Sequence, residues 1–201
     1  MLGKDRVIDP AYFSDGWVYG EDPKRYPYET ARLRKVIETA AKGIGWGRKL
    51  PKGHGLGIAG HRSFVSHTGV AVEAVVDDKG AISIPRVDIA FDCGAVVNPE
   101  RLQAQMMGAV IQGLSLALTG EISFKDGKVV QQNFDDYEVL RIDGAPPKIE
   151  VHLVPAKTYD QPLGGGGEPG VPPVAPALVN ALFAATGKRI RSLPIRDQLA
   201  T

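Results

Sequence analysis

Apolar side chains recur at spacings of three and four residues in three parts of the chain, and this period predicts three helices. The predicted helices cover residues 29–41, 99–118 and about 176–186. Gly43 and Gly187 lie where a glycine commonly ends a helix. Asn98 and Pro99 favour the start of the second helix, because asparagine caps the first N–H groups and proline suits the first helical position.

Alternation of apolar and polar residues predicts strands in the remaining parts of the chain. The predicted strands cover residues 70–76, 82–84, 86–91, 121–124, 129–132 and 148–154. Turn residues at 78–80 and 125–128 join neighbouring strands into two hairpins, and Pro85 marks a bulge or a sheet edge. This order of elements predicts an α+β fold with mixed sheets and packed helices.

The chain is predicted to divide at residue 28. Residues 1–28 show no apolar period and are predicted to form an irregular arm. The arm carries aromatic side chains that need a partner surface to cover them, namely Tyr12, Phe13, Trp17 and Tyr19. Residues 29–201 are predicted to form a single domain.

Composition and charge narrow the possible functions. The 201 residues include 24 basic and 23 acidic side chains, which argues against nucleic acid or an anionic membrane as the main partner. The sequence shows no secretion signal and no apolar run long enough to span a membrane, so both cytoplasm and periplasm stay open. The single cysteine, Cys93, excludes an internal disulfide and is expected to be buried rather than reactive. The four histidines lack the spacing of a metal site.

The most distinctive segment is residues 164–170, where four glycines precede a glutamate, a proline and another glycine. Such glycines let a ligand approach the backbone closely, so Gly165, Gly166 and Gly167 are candidate binding residues. Glu168 is the candidate general base, because desolvation on a glycine-rich shelf makes a carboxylate a stronger base. The alternative is a flexible linker with one solvated glutamate. A phosphate-binding loop is excluded, because no Gly-Lys-Ser/Thr follows the glycines.

The second predicted helix carries amide side chains in an otherwise apolar sequence. Its amides are Gln103, Gln105 and Gln112, and its glycines are Gly108 and Gly113. Buried amides need hydrogen-bond partners, and a cofactor rich in donors and acceptors would supply them next to the glycines. The alternative is a helix whose glutamines lie on its solvent-exposed face.

Together these motifs resemble the large subunits of molybdenum hydroxylases in the xanthine dehydrogenase/aldehyde oxidase family. The matching segments are Asp92-Cys-Gly-Ala-Val-Val-Asn-Pro-Glu100, Ala104-Gln105-Met-Met-Gly108, Asn133-Phe-Asp-Asp-Tyr137, Gly167-Glu168-Pro169-Gly170, and residues 180–189 and 193–195. The resemblance covers about residues 29–195, and the order of the motifs is more specific than any one of them. Its most similar branch contains isoquinoline 1-oxidoreductase beta subunits and membrane-linked aldehyde dehydrogenases.

The resemblance implies a fold, a cofactor and residue roles. The fold is that of the second molybdopterin-binding domain in the C-terminal part of such a large subunit. Glu168 matches the glutamate that deprotonates a molybdenum-bound hydroxyl group, whose oxygen attacks a carbon while hydride passes to a sulfur ligand. Gln105 matches a residue that hydrogen-bonds the pterin, and the glycines before Glu168 match a loop near the molybdenum. No side chain of this chain is expected to ligate the metal, because the pterin dithiolene does so.

The resemblance also implies partners. The cofactor is molybdenum-molybdopterin, with the cytosine dinucleotide form as one alternative, and the rest of the large subunit completes its site. A [2Fe–2S] subunit is expected, with a cytochrome c subunit as a further candidate. The substrate is a small molecule whose aldehyde or N-heteroaromatic carbon is hydroxylated with oxygen from water. A split-gene subunit or a fragment would each be inactive alone. The rival hypothesis is a non-catalytic scaffold that has lost the cofactor.

Overall fold

The computed structural model describes residues 2–9, 22, 24–156, 158–160 and 162–200, and its centre is a four-stranded sheet. The strands are β1 (Val7–Ile8), β2 (Tyr28–Glu29), β3 (His54–Ser63), β4 (Ser66–Val76), β5 (Ile82–Asp92), β6 (Phe124–Lys125), β7 (Lys128–Val129) and β8 (Ile149–Leu153). The helices are α1 (Thr30–Ile44), α2 (Pro99–Leu118) and α3 (Val174–Thr186), and Glu168–Gly170 forms a 3₁₀ turn. The central order is β3-β4-β5-β8, whereas β1-β2 and β6-β7 form separate two-stranded pairs.

The central sheet is mixed, because β3, β4 and β5 run antiparallel and β8 runs parallel to β5. Successive side chains of β4 point to opposite faces, as a strand requires. Val70 and Val72 belong to the apolar core that α2 and α3 cover, whereas Ala71 belongs to a smaller core beneath α1. The predicted α+β class with mixed sheets and packed helices is confirmed.

Several predicted boundaries are confirmed, and their physical reasons are visible. The side chain of Asn98 accepts a hydrogen bond from the backbone N–H of Arg101 at 3.0 Å, so it caps α2 as predicted. Gly187 is left-handed and ends α3. The register between β4 and β5 shifts opposite Pro85, which confirms a bulge there.

The predicted end of the first helix at Gly43 is wrong. The helix continues to Ile44, and Gly45 is the residue that adopts the left-handed conformation, with φ of 72°. Gly43 instead serves close packing, because a Cβ atom there would overlap the side chains of Asp88 and His152 on the sheet. A glycine near a helix end can therefore either end the helix or allow close packing, and the sequence alone does not distinguish these two roles.

The remaining elements extend or shorten the predictions. No strand was predicted for residues 54–63, which form β3. The second hairpin is shorter than predicted, with two residues in each strand. In the predicted arm, β1 pairs with β2, whereas Tyr12, Phe13, Trp17 and Tyr19 lie outside the described residues. Within the described part of the chain, no helix is long and apolar enough to cross a membrane.

Candidate active site

The glycine segment, defined as residues 162–170, crosses one end of the central sheet. The N–H of Gly164 donates to the carbonyl oxygen of Cys93 at the end of β5, at 2.8 Å. The N–H of Gly165 donates to the carbonyl oxygen of Phe64 in the β3–β4 turn, also at 2.8 Å. These bonds fix the segment to two strand ends, so it is not the flexible linker that the sequence left as an alternative.

Two hydroxyl side chains of β4 donate hydrogen bonds to the same segment. Ser66 Oγ donates to the carbonyl oxygen of Gly165 at 2.7 Å, and Thr68 Oγ1 donates to the carbonyl oxygen of Pro169 at 2.9 Å. Both side chains are fully buried. Ser66 and Thr68 were not predicted as site residues, although their alternation with Val70 would have extended the predicted strand over them.

The β3–β4 turn that supports the segment is strained. Phe64 and Val65 are both left-handed, with φ of 48° and 56°. A two-residue hairpin turn of this kind strongly favours Asn-Gly, and a β-branched residue in it is a true outlier. The cost is about 1–3 kcal/mol for each such residue, so surrounding contacts must hold the turn in place.

Close packing at its far end brings the segment against α2. A Cβ atom at Gly170 would lie 2.7 Å from Ala109 Cβ and 3.1 Å from Met106 Sδ. The 3₁₀ turn that carries Glu168 is thus packed directly on the helix that carries Gln105. Sequence reasoning did not assign this role to Gly170, because contacts between distant segments leave no local signal.

Glu168 and Gln105 line one open cavity of about 550 Å³. The other lining residues are Gly108, Ala109, Gln112, Gly167, Val171 and Pro172. A carboxylate, two amides and two glycines therefore surround a space large enough for a small cofactor or part of a larger one. The structure brings the predicted base and the predicted pterin-binding glutamine to the same place.

The expected desolvation of Glu168 is not found in this chain, where its side chain is exposed. Gln105 and Gln112 are exposed as well, so the glutamines do lie on the solvent-facing side of α2. The same side forms the wall of the cavity. Burial of these groups therefore requires something other than the described residues to cover the cavity.

The predicted glycines differ in what surrounds them. Gly165 packs on Phe64 and Gly166 packs on Leu102, since an added Cβ atom would lie 2.8 Å and 3.0 Å from those side chains. At Gly167 the nearest neighbour of such an atom is Gln105 Nε2, at 3.9 Å. Gly165 and Gly166 thus allow the chain to pass over the sheet end, whereas Gly167 faces the cavity.

Charged and polar groups lie on the α1 side of the same sheet end. Arg32 Nε and Nη2 donate to the two carboxylate oxygens of Asp92 at 2.8 and 2.6 Å. His67 is fully buried, and its ring nitrogens have no hydrogen-bond partner among the described residues. Burial, together with the charges of Arg32 and Arg62, lowers the pKa of His67 to about 3, so this imidazole stays neutral at physiological pH.

The single cysteine is buried at the end of β5, as predicted. Its side chain is 6% exposed and belongs to the apolar core. Burial, with the nearby charge of Asp92, raises the pKa of the Cys93 thiol. A reactive thiolate is therefore disfavoured at this position.

Residues 12–146 match a family model described as a molybdopterin cofactor-binding domain. The matched region includes Gln105 and ends before the glycine segment. The isoquinoline 1-oxidoreductase subunit beta of Brevundimonas diminuta is 36% identical over 169 residues, or 82% of this chain and 21% of that protein. The membrane-bound aldehyde dehydrogenase of Gluconacetobacter polyoxogenes is 32% identical over 171 residues, or 82% of this chain and 22% of that protein.

Solved structures share the fold. Quinoline 2-oxidoreductase from Pseudomonas putida 86 superposes with a TM-score of 0.60 at 23% identity, over 66% of this chain and 18% of that one. Aldehyde oxidoreductase from Desulfovibrio gigas gives a TM-score of 0.55 at 27% identity, over 66% of this chain and 15% of that one. The chain spans about a fifth of the length of the two relatives compared above.

Proposed function

The chain belongs to the molybdopterin cofactor-binding domain family, and on this premise we propose that it carries the catalytic base of a molybdenum hydroxylase large subunit. The predicted resemblance to this family is confirmed. The observation that carries the proposal is the meeting of Glu168 and Gln105 at one cavity, although 63 residues separate them in sequence.

The cavity wall fits a pterin-type cofactor in shape and chemistry. Nothing lies within 4 Å of a Cβ atom built at Gly108, so a planar ligand can approach the backbone of α2 there. The side chains of Gln105 and Gln112 each offer amide donors and an acceptor, which suit the mixed donors and acceptors of a pterin ring. We assign Gln105 and Gly167 to cofactor binding, with Gly165 and Gly166 holding the segment that presents them.

The bound cofactor supplies the two-electron redox chemistry. Glu168 contributes a carboxylate oxygen that accepts the proton lost by the attacking water, whose oxygen ends in the hydroxylated product. The contacts of Pro169 and Gly170 fix the backbone of the 3₁₀ turn, and the exposed side chain of Glu168 lies at the wall of the cavity. Covering by the rest of the large subunit would desolvate Glu168 and strengthen it as a base.

The names of the relatives favour two classes of substrate. They refer to isoquinoline, nicotinate and aldehydes, which present an N-heteroaromatic carbon or an aldehyde carbon. In both classes a C–H bond becomes C–OH with oxygen from water, and two electrons leave with two protons. We propose this reaction for the complete subunit.

The proposed partners follow from the same reaction. The remaining part of the large subunit completes the cofactor site, and the two electrons require an acceptor such as a [2Fe–2S] subunit. A cytochrome c subunit is a further proposed acceptor, and the cytosine dinucleotide form of the cofactor is proposed as one alternative. The proposed division of the chain into an arm and a domain at residue 28 would place the arm against such a partner.

The first test replaces Glu168 with Gln in the complex purified from the source cells. Glu168→Gln keeps the shape of the side chain and removes its basicity, so we expect turnover to fall about 10²- to 10⁴-fold. Because the side chain is exposed, the free energy of unfolding should stay within about 0.5 kcal/mol of wild type. Steady-state kinetics and urea denaturation measure the two quantities.

Glu38→Gln is the matched control, because Glu38 is an exposed glutamate of α1 on the other side of the sheet. This variant should turn over like wild type. Wild-type turnover in Glu168→Gln would contradict the assigned base. Absence of molybdenum from a complex that contains this chain would instead favour the non-catalytic scaffold.

A further inference from the structure

Two buried hydroxyl groups face the glycine segment from adjacent in-facing positions of β4. Ser66 Oγ contacts Gly165 O at 2.7 Å, and Thr68 Oγ1 contacts Pro169 O at 2.9 Å. The two bonds therefore hold the segment on both sides of Glu168. The carbonyl oxygen of Glu168 accepts a hydrogen bond from the N–H of Val171 at 3.0 Å, within the 3₁₀ turn.

The hydroxyl of Thr68 is not required by its place in the core. The next residues on the same face of β4 are Val70 and Val72, both fully buried and apolar. Valine has nearly the shape of threonine, and a β-strand in an apolar core accepts it readily. A buried hydroxyl at this position is stable because it satisfies a carbonyl group that would otherwise be unpaired.

The strained turn next to Ser66 is a second, independent observation. Phe64 and Val65 hold left-handed conformations that favour glycine, and the carbonyl oxygen of Phe64 accepts the bond from Gly165. Backbone strain of this kind is found preferentially at functional sites, and this turn bonds to the segment whose later residues line the cavity. Here the strained turn and the two hydroxyls act on the same short segment.

We propose that Ser66 and Thr68 are positioning residues that set the place of the Glu168 carboxylate relative to Gln105. The inference rests on the proposed function of Glu168 as the base. Neither hydroxyl touches the cavity, so each acts through the backbone of the glycine segment. Small displacements of a catalytic group cost large factors in rate, which gives these bonds a functional effect beyond folding.

The first experiment measures amide hydrogen exchange by NMR in the full chain, without cofactor. In Thr68→Val we expect the amides of Gly165 and Val171 to exchange about tenfold faster, because the segment loses its fixed end. The amides of α3 should keep their wild-type rates. Thr68→Ser keeps the hydroxyl and should restore slow exchange.

A matched control separates a local effect from a general loss of stability. Thr186 Oγ1 at the end of α3 donates to the carbonyl oxygen of Leu182 at 2.7 Å and accepts from the N–H of Lys188 at 3.1 Å, so Thr186→Val also removes a hydroxyl-to-carbonyl bond, together with that second bond. This control should leave exchange at Gly165 and Val171 unchanged. If Thr68→Val does not fold, Ser66→Ala gives the same test at the other end of the segment. Wild-type exchange at Gly165 in Ser66→Ala and Thr68→Val would overturn the proposal.

The second experiment measures kinetics in the purified complex. We expect Thr68→Val to lower kcat about 10- to 100-fold with little change in KM, and Thr68→Ser to recover most of kcat. Unchanged kcat in Thr68→Val, together with a strong loss in Glu168→Gln, would overturn the positioning role alone. Unchanged kcat in Glu168→Gln would overturn the proposed base. The exchange rates would still show whether Ser66 and Thr68 hold the glycine segment in place.

Discussion

The glycines at the start of β3 and the two glycines that line the cavity serve opposite purposes. At the start of β3, a Cβ atom at Gly55 or Gly57 would overlap backbone atoms of α3, so the helix and the strand are in direct contact. At the other end, a Cβ atom at Gly108 would meet nothing, and one at Gly167 would meet only Gln105 Nε2. The first end is closed by the chain itself, whereas the second is left open at the cavity.

The two ends also differ in backbone strain and in the hydrogen bonding of buried polar groups. The α3–β3 contact is built from small residues and buried backbone, with an apolar core around it. The open end contains two left-handed non-glycine residues, Phe64 and Val65, and a buried histidine without a described hydrogen-bond partner. Proteins commonly keep such local costs where a site needs them. This agrees with the proposal that the functional site lies at the open end, away from the packed α3–β3 contact.

The largest effect is expected at the closed end. In Gly57→Ala the added methyl group would overlap the carbonyl oxygen of Ala177 and the amide nitrogen of Ala181, which belong to the helix backbone. Because neither atom can move without the helix, we expect the free energy of unfolding to fall by about 3 kcal/mol or more. Urea denaturation measures it, and a loss below about 1 kcal/mol would mean that the two ends do not differ as described.

A smaller effect is expected from acid at the open end. The pKa of His67 is lowered from its unfolded value of 6.5 to about 3, so the unfolded chain binds the extra proton between these values. Stability is therefore full above about pH 6.5 and falls as the pH drops toward 3. Between pH 7 and pH 5 the loss from this group is about 2 kcal/mol, measurable by urea denaturation at each pH.

His67→Phe tests the source of this pH dependence. Phenylalanine does not titrate and can keep the edge-on ring contact with Tyr28, whose centroid lies 6.1 Å from that of His67. Stability of this variant should change much less between pH 7 and pH 5. His61→Gln is the comparison, because burial also lowers the pKa of His61. If the free energy of unfolding of His67→Phe depends on pH as it does in the wild type, a group other than His67 causes the acid sensitivity.

The smallest effect on stability, with the opposite sign, is expected at Gly108. The residue lies inside α2 and has open space around it, so Gly108→Ala should stabilise the chain by about 0.5–1 kcal/mol. In the assembled complex the same methyl group would enter the cavity and lower the molybdenum content. A stabilised variant with full molybdenum content would show that no ligand approaches α2 at this point.

Local chemistry accounts for what the sequence could predict. Asn98 before Pro99 determines where α2 begins, and Gly187 determines where α3 ends, because each depends only on neighbouring residues. Glu168 was also singled out by its local sequence, as a carboxylate after four glycines, whereas Gln105 was distinguished from the other glutamines of α2 only by the resemblance to molybdenum hydroxylases. The roles of both residues stay predictions.

Contacts between distant segments account for what the sequence could not predict. Gly43 packs against the central sheet and Gly57 packs against α3, and neither contact can be read from the neighbouring residues. For this reason β3 was not predicted in its glycine-rich sequence, and α1 was predicted to end too early. The exposure of Glu168 depends on what covers the cavity, which its own neighbours in sequence do not determine. Ser66 and Thr68 act on residues 99 and 101 positions away.

These last two separations have a consequence for the order of folding. Bringing together residues about a hundred positions apart is slow compared with forming a hairpin or a helix, because the intervening chain must first lose much of its freedom. We therefore expect the β3–β4 hairpin and α2 to form before the segment that carries Glu168 settles on them. In that order of folding, the Glu168 carboxylate is placed only late, after the elements that support it have formed.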